Sequence, residues 1–353
     1  PAIVKMAVNQ SYAEGNGVGG HALAVDTYGN VYAWGYNSYG QIGNGTTNYY
    51  KYPTRVHAGD SPYWYAVGSD ERRYYTDGGK GYYVVNADKT RTYFADASVL
   101  PEGVTLDAER YLTGVVDVAV GFDHSLALLK DGTVLGWGNS YRGQAGDPND
   151  GVARSLTPQF VRQAGSVGAG IWLNNVISVS ASGASTVEGA SAVLRSDGTV
   201  FAWGSNANQL LGNDTIRGIQ GPHGVQVDTD QLTAKGTRDD QYTDALGYHY
   251  YDPHQQKDYT KADGDTTVVM DVDNYLVEVG TMLDGVVELD MGRNHALALK
   301  DTYVWTTQDG KDYPTRTSGT VYTWGTDVKG SLGRNTDVTT GGVSAGLAAP
   351  VAG

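Results

Sequence analysis

The chain has 353 residues, a formal net charge of −14 at pH 7 and no cysteine. This acidic balance argues against nucleic acid or an anionic membrane as a partner, because both bind basic surfaces. No stretch approaches the ~20 apolar residues that a membrane-spanning helix needs. The 49 Gly and 26 Tyr residues favour a fold of many short strands joined by tight turns.

One segment recurs along the chain at constant length. It reads HALAVDTYGNVYAW at His21–Trp34 and returns at His124–Trp137 and at Ala190–Trp203. A fourth copy begins at His295 and ends at Trp324, with an insertion where the other copies turn. Each copy consists of two short apolar runs around a tight turn, which is the pattern of a β-hairpin. The chain is therefore predicted to be a repeat protein.

The most regular copy, GFDHSLALLKDGTVLGWGNSYRGQAG at 121–146, predicts how a repeat packs. Asp131-Gly132 is expected to form a two-residue turn, because Gly accepts a positive φ without steric cost. That turn would place Leu126 opposite Trp137 on one face and Leu129 opposite Val134 on the other. Since both faces are apolar, the hairpin is expected to lie between two other sheets.

Flanking segments extend each hairpin into a larger unit. Apolar runs precede three copies, at 115–121, 176–182 and 286–292. Stretches that begin with proline follow two copies, at 53–56 and 158–161, and suit outer strands because an edge strand tolerates Pro. Each unit is thus predicted to be a four-stranded antiparallel sheet.

The fold predicted from these units is an all-β propeller of six or seven four-stranded blades with long insertions, in a single domain over 1–353. Degenerate units are expected around 62–100, where Phe94 replaces the Trp, and around 262–285. Radial stacking of the sheets removes exposed edges, although a linear solenoid is an alternative. The strong repeats lie around 3–56, 115–161, 176–225 and 286–353.

The repeated pattern G-x-x-H-[SA]-L-A-L-x-x-D-G-x-V-x-x-W-G-x-N-x-x-G-Q-x-G resembles the repeat of the regulator-of-chromosome-condensation family of β-propellers. Members of that family are seven-bladed propellers that act through protein–protein contacts, and one is an exchange factor for a small GTPase on chromatin. The resemblance implies a propeller fold and a role in protein binding. The exchange activity is not carried over, because it does not reside in the repeat consensus.

The residues shared by the repeats are predicted to be structural. His21, His124 and His295 occupy equivalent places and are expected to be hydrogen-bonded within their own blades rather than to share a metal. Equivalent positions are far apart in a propeller unless they line its central channel. The four Trp residues are expected to pack in the cores of the blades, since their rings bury the most area. They are Trp34, Trp137, Trp203 and Trp324.

No enzyme motif or complete metal site is visible. The chain has no G-x-S-x-G elbow, no H-E-x-x-H helix and no phosphate-binding loop. No cofactor is therefore predicted, and calcium in an acidic loop is the alternative, although none of the acidic runs matches the full calcium loop. These runs lie at 147–150, 228–230, 239–240 and 271–273.

The insertion Tyr303–Tyr313 interrupts the fourth hairpin at its turn and is predicted to extend the same two strands. Tyr303, Trp305 and Tyr313 are candidate contact residues, because aromatic side chains dominate interface energies. The alternative is that these rings fold back on the neighbouring blade. Tyr-rich stretches at 63–65, 74–75 and 248–251 are expected to add surface of the same kind.

The predicted function is a non-enzymatic extracellular interaction module of a prokaryotic surface, adhesive or filament-forming protein, with a protein partner or self-assembly. Asn44 and Asn213 head glycosylation sequons in equivalent loops, where an exposed glycan would fit. The first alternative is a glycan-binding propeller, and the second is a hydrolase or lyase on the same scaffold. Since the chain starts at Pro1, it is expected to be a mature chain or one region of a longer polypeptide.

Overall fold

The computed structural model describes most of the chain. Within that part the secondary structure is β-strand apart from one short 3₁₀ helix, and no helix is long and apolar enough to cross a membrane. The described residues are 1–9, 20–76, 78, 81–146, 154–162, 172–183, 189–206, 209–212, 219–224, 251–252, 257–258, 283–308, 311–327, 331–333 and 343–351.

The first repeat forms a four-stranded antiparallel sheet, here called blade 1, whose strands lie in chain order. They are β1 (Ile3–Val8), β2 (His21–Asp26), β3 (Val31–Gly35) and β4 (Tyr50–Arg55). Pro53 lies in the outer strand β4, as predicted, where one side of the strand has no partner to receive an N–H.

A separate five-stranded sheet, here called the insertion sheet, follows blade 1. Its strands are β5 (Trp64–Val67), β6 (Arg73–Tyr75), β7 (Tyr82–Val85), β8 (Arg91–Phe94) and β9 (Tyr111–Leu112), with the 3₁₀ helix at Ala97–Val99. Their order is β8-β7-β6-β5-β9. This differs from the degenerate blade expected around 62–100. Strand β8 reads Arg-Thr-Tyr-Phe and is mostly exposed, so it lacks the two apolar faces that a stacked blade needs.

Blades 2 and 3 repeat the topology of blade 1. Blade 2 consists of β10 (Val115–Val120), β11 (His124–Leu129), β12 (Val134–Asn139) and β13 (Arg154–Phe160). Blade 3 consists of β14 (Val176–Ser182), β15 (Ala190–Arg195), β16 (Val200–Gly204) and β17 (Ile219–Gly224). Blade 2 packs directly on blade 1, with the insertion sheet outside the stack.

Blade 4 closes the described stack and carries a long arm. It consists of β20 (Val286–Met291), β21 (His295–Gln308), β22 (Lys311–Asp327) and β23 (Val343–Pro350), after a short pair β18 (Tyr251–Asp252) and β19 (Lys257–Asp258). Strands β21 and β22 pair from His295↔Gly325 out to Gln308↔Lys311. The backbone thus confirms that the insertion extends the same hairpin. The degenerate unit expected around 262–285 lies outside the described residues up to 282.

The register of the blade 2 hairpin differs from the prediction by one residue. Trp137 pairs with Ser125 rather than Leu126, and Val134 pairs with Leu128 rather than Leu129. The backbone N–H of Gly132, at φ +83°, donates to the Leu129 carbonyl oxygen at 2.9 Å. The loop therefore holds three residues closed by a glycine in the left-handed region, and the extra residue shifts every pair.

The blades stack face to face, as predicted from their two apolar faces. Leu129, Leu135 and Trp137 of blade 2 pack against Leu23 and Val25 of blade 1. The opposite face of blade 2 packs against blade 3, and blade 3 packs against blade 4 through a third cluster. The fold is therefore all-β, built of stacked four-stranded propeller blades.

Candidate functional site

Neighbouring blades are joined by a buried polar connection as well as by apolar packing. The Nε2 atom of His21 in blade 1 lies 2.8 Å from the Oγ atom of Ser125 in blade 2. Ser125 Oγ donates to the carbonyl oxygen of Gln41 at 2.9 Å, and Trp137 Nε1 donates to the same oxygen at 2.8 Å. Because Ser125 gives its only proton to Gln41, His21 Nε2 is the donor to Ser125.

The same connection recurs between blades 2 and 3. His124 Nε2 lies 2.9 Å from Ser191 Oγ, and Ser191 and Trp203 both donate to the carbonyl oxygen of Gln144. For His21 and His124 the prediction of a bond within their own blades is therefore wrong. The histidine side chain lies on the face that meets the following blade, so its partner belongs to that blade.

The third interface replaces both polar partners with alanine. Ala190 of blade 3 stands in the histidine position and Ala296 of blade 4 stands in the serine position, and both are buried in one cluster. Trp324 Nε1 still donates to a loop carbonyl, that of Leu210, at 2.7 Å. Trp137, Trp203 and Trp324 are fully buried, which confirms their core role, whereas Trp34 of blade 1 is only half-buried.

These interfaces hold the blades together and offer no reactive group. Burial lowers the pKa of His21 and of His124 to about 3, so both imidazoles are neutral at physiological pH. Among the residues described, no group of three or more His, Asp or Glu side chains is arranged to hold a metal ion. The acidic runs at 147–150, 228–230, 239–240 and 271–273 lie outside the described residues, so calcium binding stays a prediction.

The insertion sheet carries the most distinctive surface in the described chain. One tyrosine from each strand pairs with the tyrosine of the next, in the order Tyr111, Tyr65, Tyr75, Tyr83, Tyr93. Successive ring centroids lie 5.4, 5.3, 5.4 and 5.7 Å apart. We call this row the tyrosine ladder. Cross-strand aromatic pairs of this kind stabilise a sheet beyond the area that they bury.

Arginine side chains lie against the rings of the ladder. The guanidinium of Arg55 is 4.9 Å from the centroid of Tyr111, and that of Arg91 is 4.5 Å from the centroid of Tyr83. Burial also raises the pKa of Tyr65, which keeps its phenol protonated. Within the ladder, the exposed fraction of the side chain rises from 1% at Tyr65 to 68% at Tyr93, which lies on the open edge strand β8. An ordered core thus presents an aromatic and cationic edge to solvent.

A groove lies where the insertion sheet meets the turns of blades 1 and 2. Its volume is about 200 Å³, and its walls include Tyr28 of the blade 1 turn and Lys130 of the blade 2 turn. Tyr63 lies between them, with its ring centroid 4.6 Å from Lys130 Nζ and its hydroxyl 3.0 Å from an Asp131 carboxylate oxygen. Lys89 and Arg91 of the insertion sheet line the opposite wall.

The Tyr-rich stretches predicted to be surface are partly interior. Tyr65, Tyr74 and Tyr75 are buried, because they pack on both faces of the insertion sheet. The ladder itself was missed, since its strands are only two to four residues long and no repeat marks them. The signal available in the sequence was at least one Tyr in each of the five short runs. Of the stretch 248–251 only the backbone of Tyr251 is described.

The candidate contact residues of blade 4 are brought into one arm. Tyr303 pairs with Arg316, Trp305 with Pro314 and Tyr313 with Thr306. Their side chains lie outside what the structure describes, so their contact role stays a prediction.

The exposure expected at Asn44 is not found. Asn44 is only 8% exposed, and its Oδ1 atom accepts from Thr46 Oγ1 at 2.9 Å within a tight turn. That turn holds the side chain against the protein, whereas a glycan needs it in solvent. Asn213 lies outside the described residues.

The fold and its repeated interfaces define a repeat protein made of β-propeller blades. Two family models, both described as Regulator of chromosome condensation (RCC1) repeat, match residues 28–67 and 115–144. The chain therefore carries RCC1-like repeats of the kind that build β-propellers.

Curated relatives include Protein RCC1 of Candida albicans, 28% identical over 52% of this chain and 30% of that protein. E3 ubiquitin-protein ligase HERC2 of Homo sapiens is 27% identical over 58% of this chain and 4% of that protein. The chain thus spans less than a third of these relatives. Among solved structures, human WBSCR16 aligns with a TM-score of 0.49 at 18% identity, over 99% of this chain and 53% of that chain.

The predicted extracellular or cell-surface location is wrong. The relatives are a regulator of chromosome condensation and a ubiquitin ligase, and both are intracellular proteins. The acidic, cysteine-free composition that suggested an exterior location is equally compatible with a protein inside the cell.

Proposed function

We propose that the chain is a protein-binding module without catalytic activity, in which the stacked blades form a rigid scaffold and the insertion sheet supplies the binding surface. The observation that carries the proposal is the open edge of the tyrosine ladder, where exposed Tyr93 stands beside Arg91 on strand β8. Tyr and Arg are enriched among the residues that dominate binding energy at protein interfaces.

The ladder also lowers the entropic cost of binding. Tyr83 is packed between Tyr75 and Tyr93, and Arg91 lies on the ring of Tyr83. Side chains that are ordered before association lose less conformational entropy when a partner binds. The resemblance to propellers that act through protein contacts supports the same role. Self-assembly, glycan binding and hydrolase or lyase activity have no comparable support among the described residues.

The proposal is tested by capture with the full chain. Wild type, Tyr93→Ala and Tyr52→Ala are immobilised in turn and exposed to extract of the source organism, and captured proteins are identified by mass spectrometry. Tyr52 is a matched control, because it is an exposed tyrosine on the outer strand of blade 1. We expect one protein to be captured by wild type and by Tyr52→Ala, and to be lost with Tyr93→Ala.

A photo-crosslinking amino acid at position 93 should then join the chain to that same protein, whereas the label at position 52 should not. Equal capture by Tyr93→Ala and wild type would overturn the assignment of the surface.

A further inference from the structure

We propose that the groove between the insertion sheet and the turns of blades 1 and 2 binds an acidic segment of a protein partner, through carboxylate side chains. This inference rests on the proposed function and names the class of partner. Lys89, Arg91 and Lys130 supply positive charge, and among the described residues no acidic side chain lines the groove.

The charge of the groove is positive, whereas the net charge of the chain is negative. The protein has 39 acidic and 25 basic residues, so a groove whose described lining holds basic but no acidic residues is a local inversion of charge. An acidic segment is repelled by the net negative charge of the chain and attracted to this groove. The charge pattern therefore gives selectivity as well as attraction.

The cationic side chains are held in position by aromatic rings. The guanidinium of Arg91 lies 4.5 Å from the centroid of Tyr83, and Lys130 Nζ lies 4.6 Å from the centroid of Tyr63. The one carboxylate next in sequence to Lys130, that of Asp131, accepts from Tyr63 and from both the backbone and the hydroxyl of Thr133. It is thereby oriented within its own turn, and it does not line the groove.

The floor of the groove is rigid. Thr113 Oγ1 donates to the carbonyl oxygen of Tyr28 at 3.0 Å, and the Lys130 backbone N–H donates to the carbonyl oxygen of Gly114 at 2.9 Å. Thr76 and Thr113 are buried beneath the opening. The walls therefore come from three elements that are already fixed to one another before any ligand arrives.

The size of the groove favours a segment over a folded surface. Its volume is about 200 Å³. One or two acidic side chains fit this space, and the tyrosine walls cover the aliphatic part of a Glu side chain. The exposed side chains of Lys89 and Lys130 lie at the rim of the groove, where they would contact the carboxylates of an incoming acidic segment.

The test uses the full chain and a rhodamine-labelled octaglutamate peptide, with octaglutamine as the neutral control, followed by fluorescence anisotropy. The charge-reversed variant carries Lys89→Glu and Lys130→Glu. Lys51→Glu is the matched control, because Lys51 is exposed on strand β4 and does not line the groove. All three lysines are exposed, so the variants are expected to fold, and circular dichroism checks this.

We expect octaglutamate to bind wild type and octaglutamine not to bind. The double reversal should raise the Kd at least about tenfold, while Lys51→Glu changes it less than about twofold. Added salt should weaken binding to wild type.

The inference is overturned if octaglutamate does not bind wild type, or if the double reversal and Lys51→Glu have equal effects. These outcomes are independent of the capture experiment at Tyr93, so protein binding by the ladder edge can stand when the groove assignment fails.

Discussion

At the scale of single residues, the interfaces between blades combine burial with a polar requirement. His21 and His124 are fully enclosed, yet each keeps one hydrogen bond across the interface to a serine. An intact His–Ser hydrogen bond adds only modestly to the free energy of unfolding. A buried donor or acceptor that has lost its partner, however, costs about 1–3 kcal/mol. The two histidines therefore make the stack sensitive to their protonation.

Acid should weaken the stack through these histidines. Their pKa is about 3 in the folded chain, so below pH 6.5 the unfolded chain takes up protons that the folded chain does not. Each histidine then contributes about 2 kcal/mol less stability at pH 5 than at pH 7.5. Buried Asp123 acts in the opposite direction, because burial raises its pKa to about 6 and its contribution is lost as the pH rises through that value.

The measurement is the free energy of urea unfolding at pH 5 and pH 7.5, for wild type and for His21→Ala/Ser125→Ala. The double variant mimics the natural Ala190–Ala296 pair, and its pH dependence should be smaller by about 2 kcal/mol. Tyr52→Ala, an exposed change, should keep the wild-type difference. An unchanged pH dependence in the double variant would refute the assignment.

At the scale of elements, the insertion sheet is stabilised by contacts between side chains of neighbouring strands more than by the length of its strands. Its longest strands have four residues, and a sheet of such short strands needs packing across neighbouring strands. The tyrosine ladder supplies that packing on one face, while Tyr74 and Phe94 pack on the other.

Removing a central ring should release the insertion sheet but leave the blades. In Tyr75→Ala the stacking with Tyr65 and Tyr83 is lost from a buried position, at a cost of about 3–5 kcal/mol by analogy with other buried aromatic residues. Hydrogen–deuterium exchange should rise across β5–β9 and stay near wild type in β10–β13, because blades 1 and 2 pack directly. Tyr93→Ala at the exposed end is the control and should change exchange only in β8.

At the scale of the whole molecule, the four described blades pack in chain order, each against the next. Separate apolar clusters join blades 1 and 2, blades 2 and 3, and blades 3 and 4. The stability of such an array is close to a sum of blade and interface contributions. Damage at one interface should therefore spread to the two blades that share it.

Trp203→Ala tests this series. Trp203 is fully buried between blades 2 and 3, and its Nε1 atom donates to Gln144 at 3.1 Å. The loss of about 3–5 kcal/mol should raise hydrogen–deuterium exchange in β10–β17 more than in β1–β4. Phe201→Leu, at a half-buried position of the same strand, is the control and should have a much smaller effect. Uniform loss of protection over all blades would show a single cooperative unit instead.

The sequence predicts contacts between residues close together in the chain better than contacts between distant residues. The hairpins, their Gly turns and the two apolar faces of each blade are local patterns, and the structure confirms them at 21–34, 124–137 and 190–203. The register at Leu126 was missed by one residue, because Asp131-Gly132 is compatible with both a two-residue and a three-residue loop. The partner of His21 lies 104 residues away, so no local pattern reveals it.

The candidate site was harder to predict for the same reason. The tyrosines at 63–65 and 74–75 were recognised as a distinctive stretch, but the ladder depends on the pairing of five short strands. The groove depends further on the approach of Lys89 and Lys130, which belong to different sheets. Such sites follow from tertiary structure, and composition alone indicates only that aromatic and basic residues are present.

The successive interfaces between blades are not equivalent. The first two contain a His–Ser pair, and the third contains an Ala–Ala pair. A chain of near-identical repeats risks mispairing during folding, since any blade resembles any other. If blade 4 docked on blade 2, the His124 imidazole would meet Ala296 and lose its buried hydrogen-bond partner, which costs about 1–3 kcal/mol. The polar pairs thus disfavour docking of blade 4 on blade 1 or blade 2, because neither histidine would find a serine there.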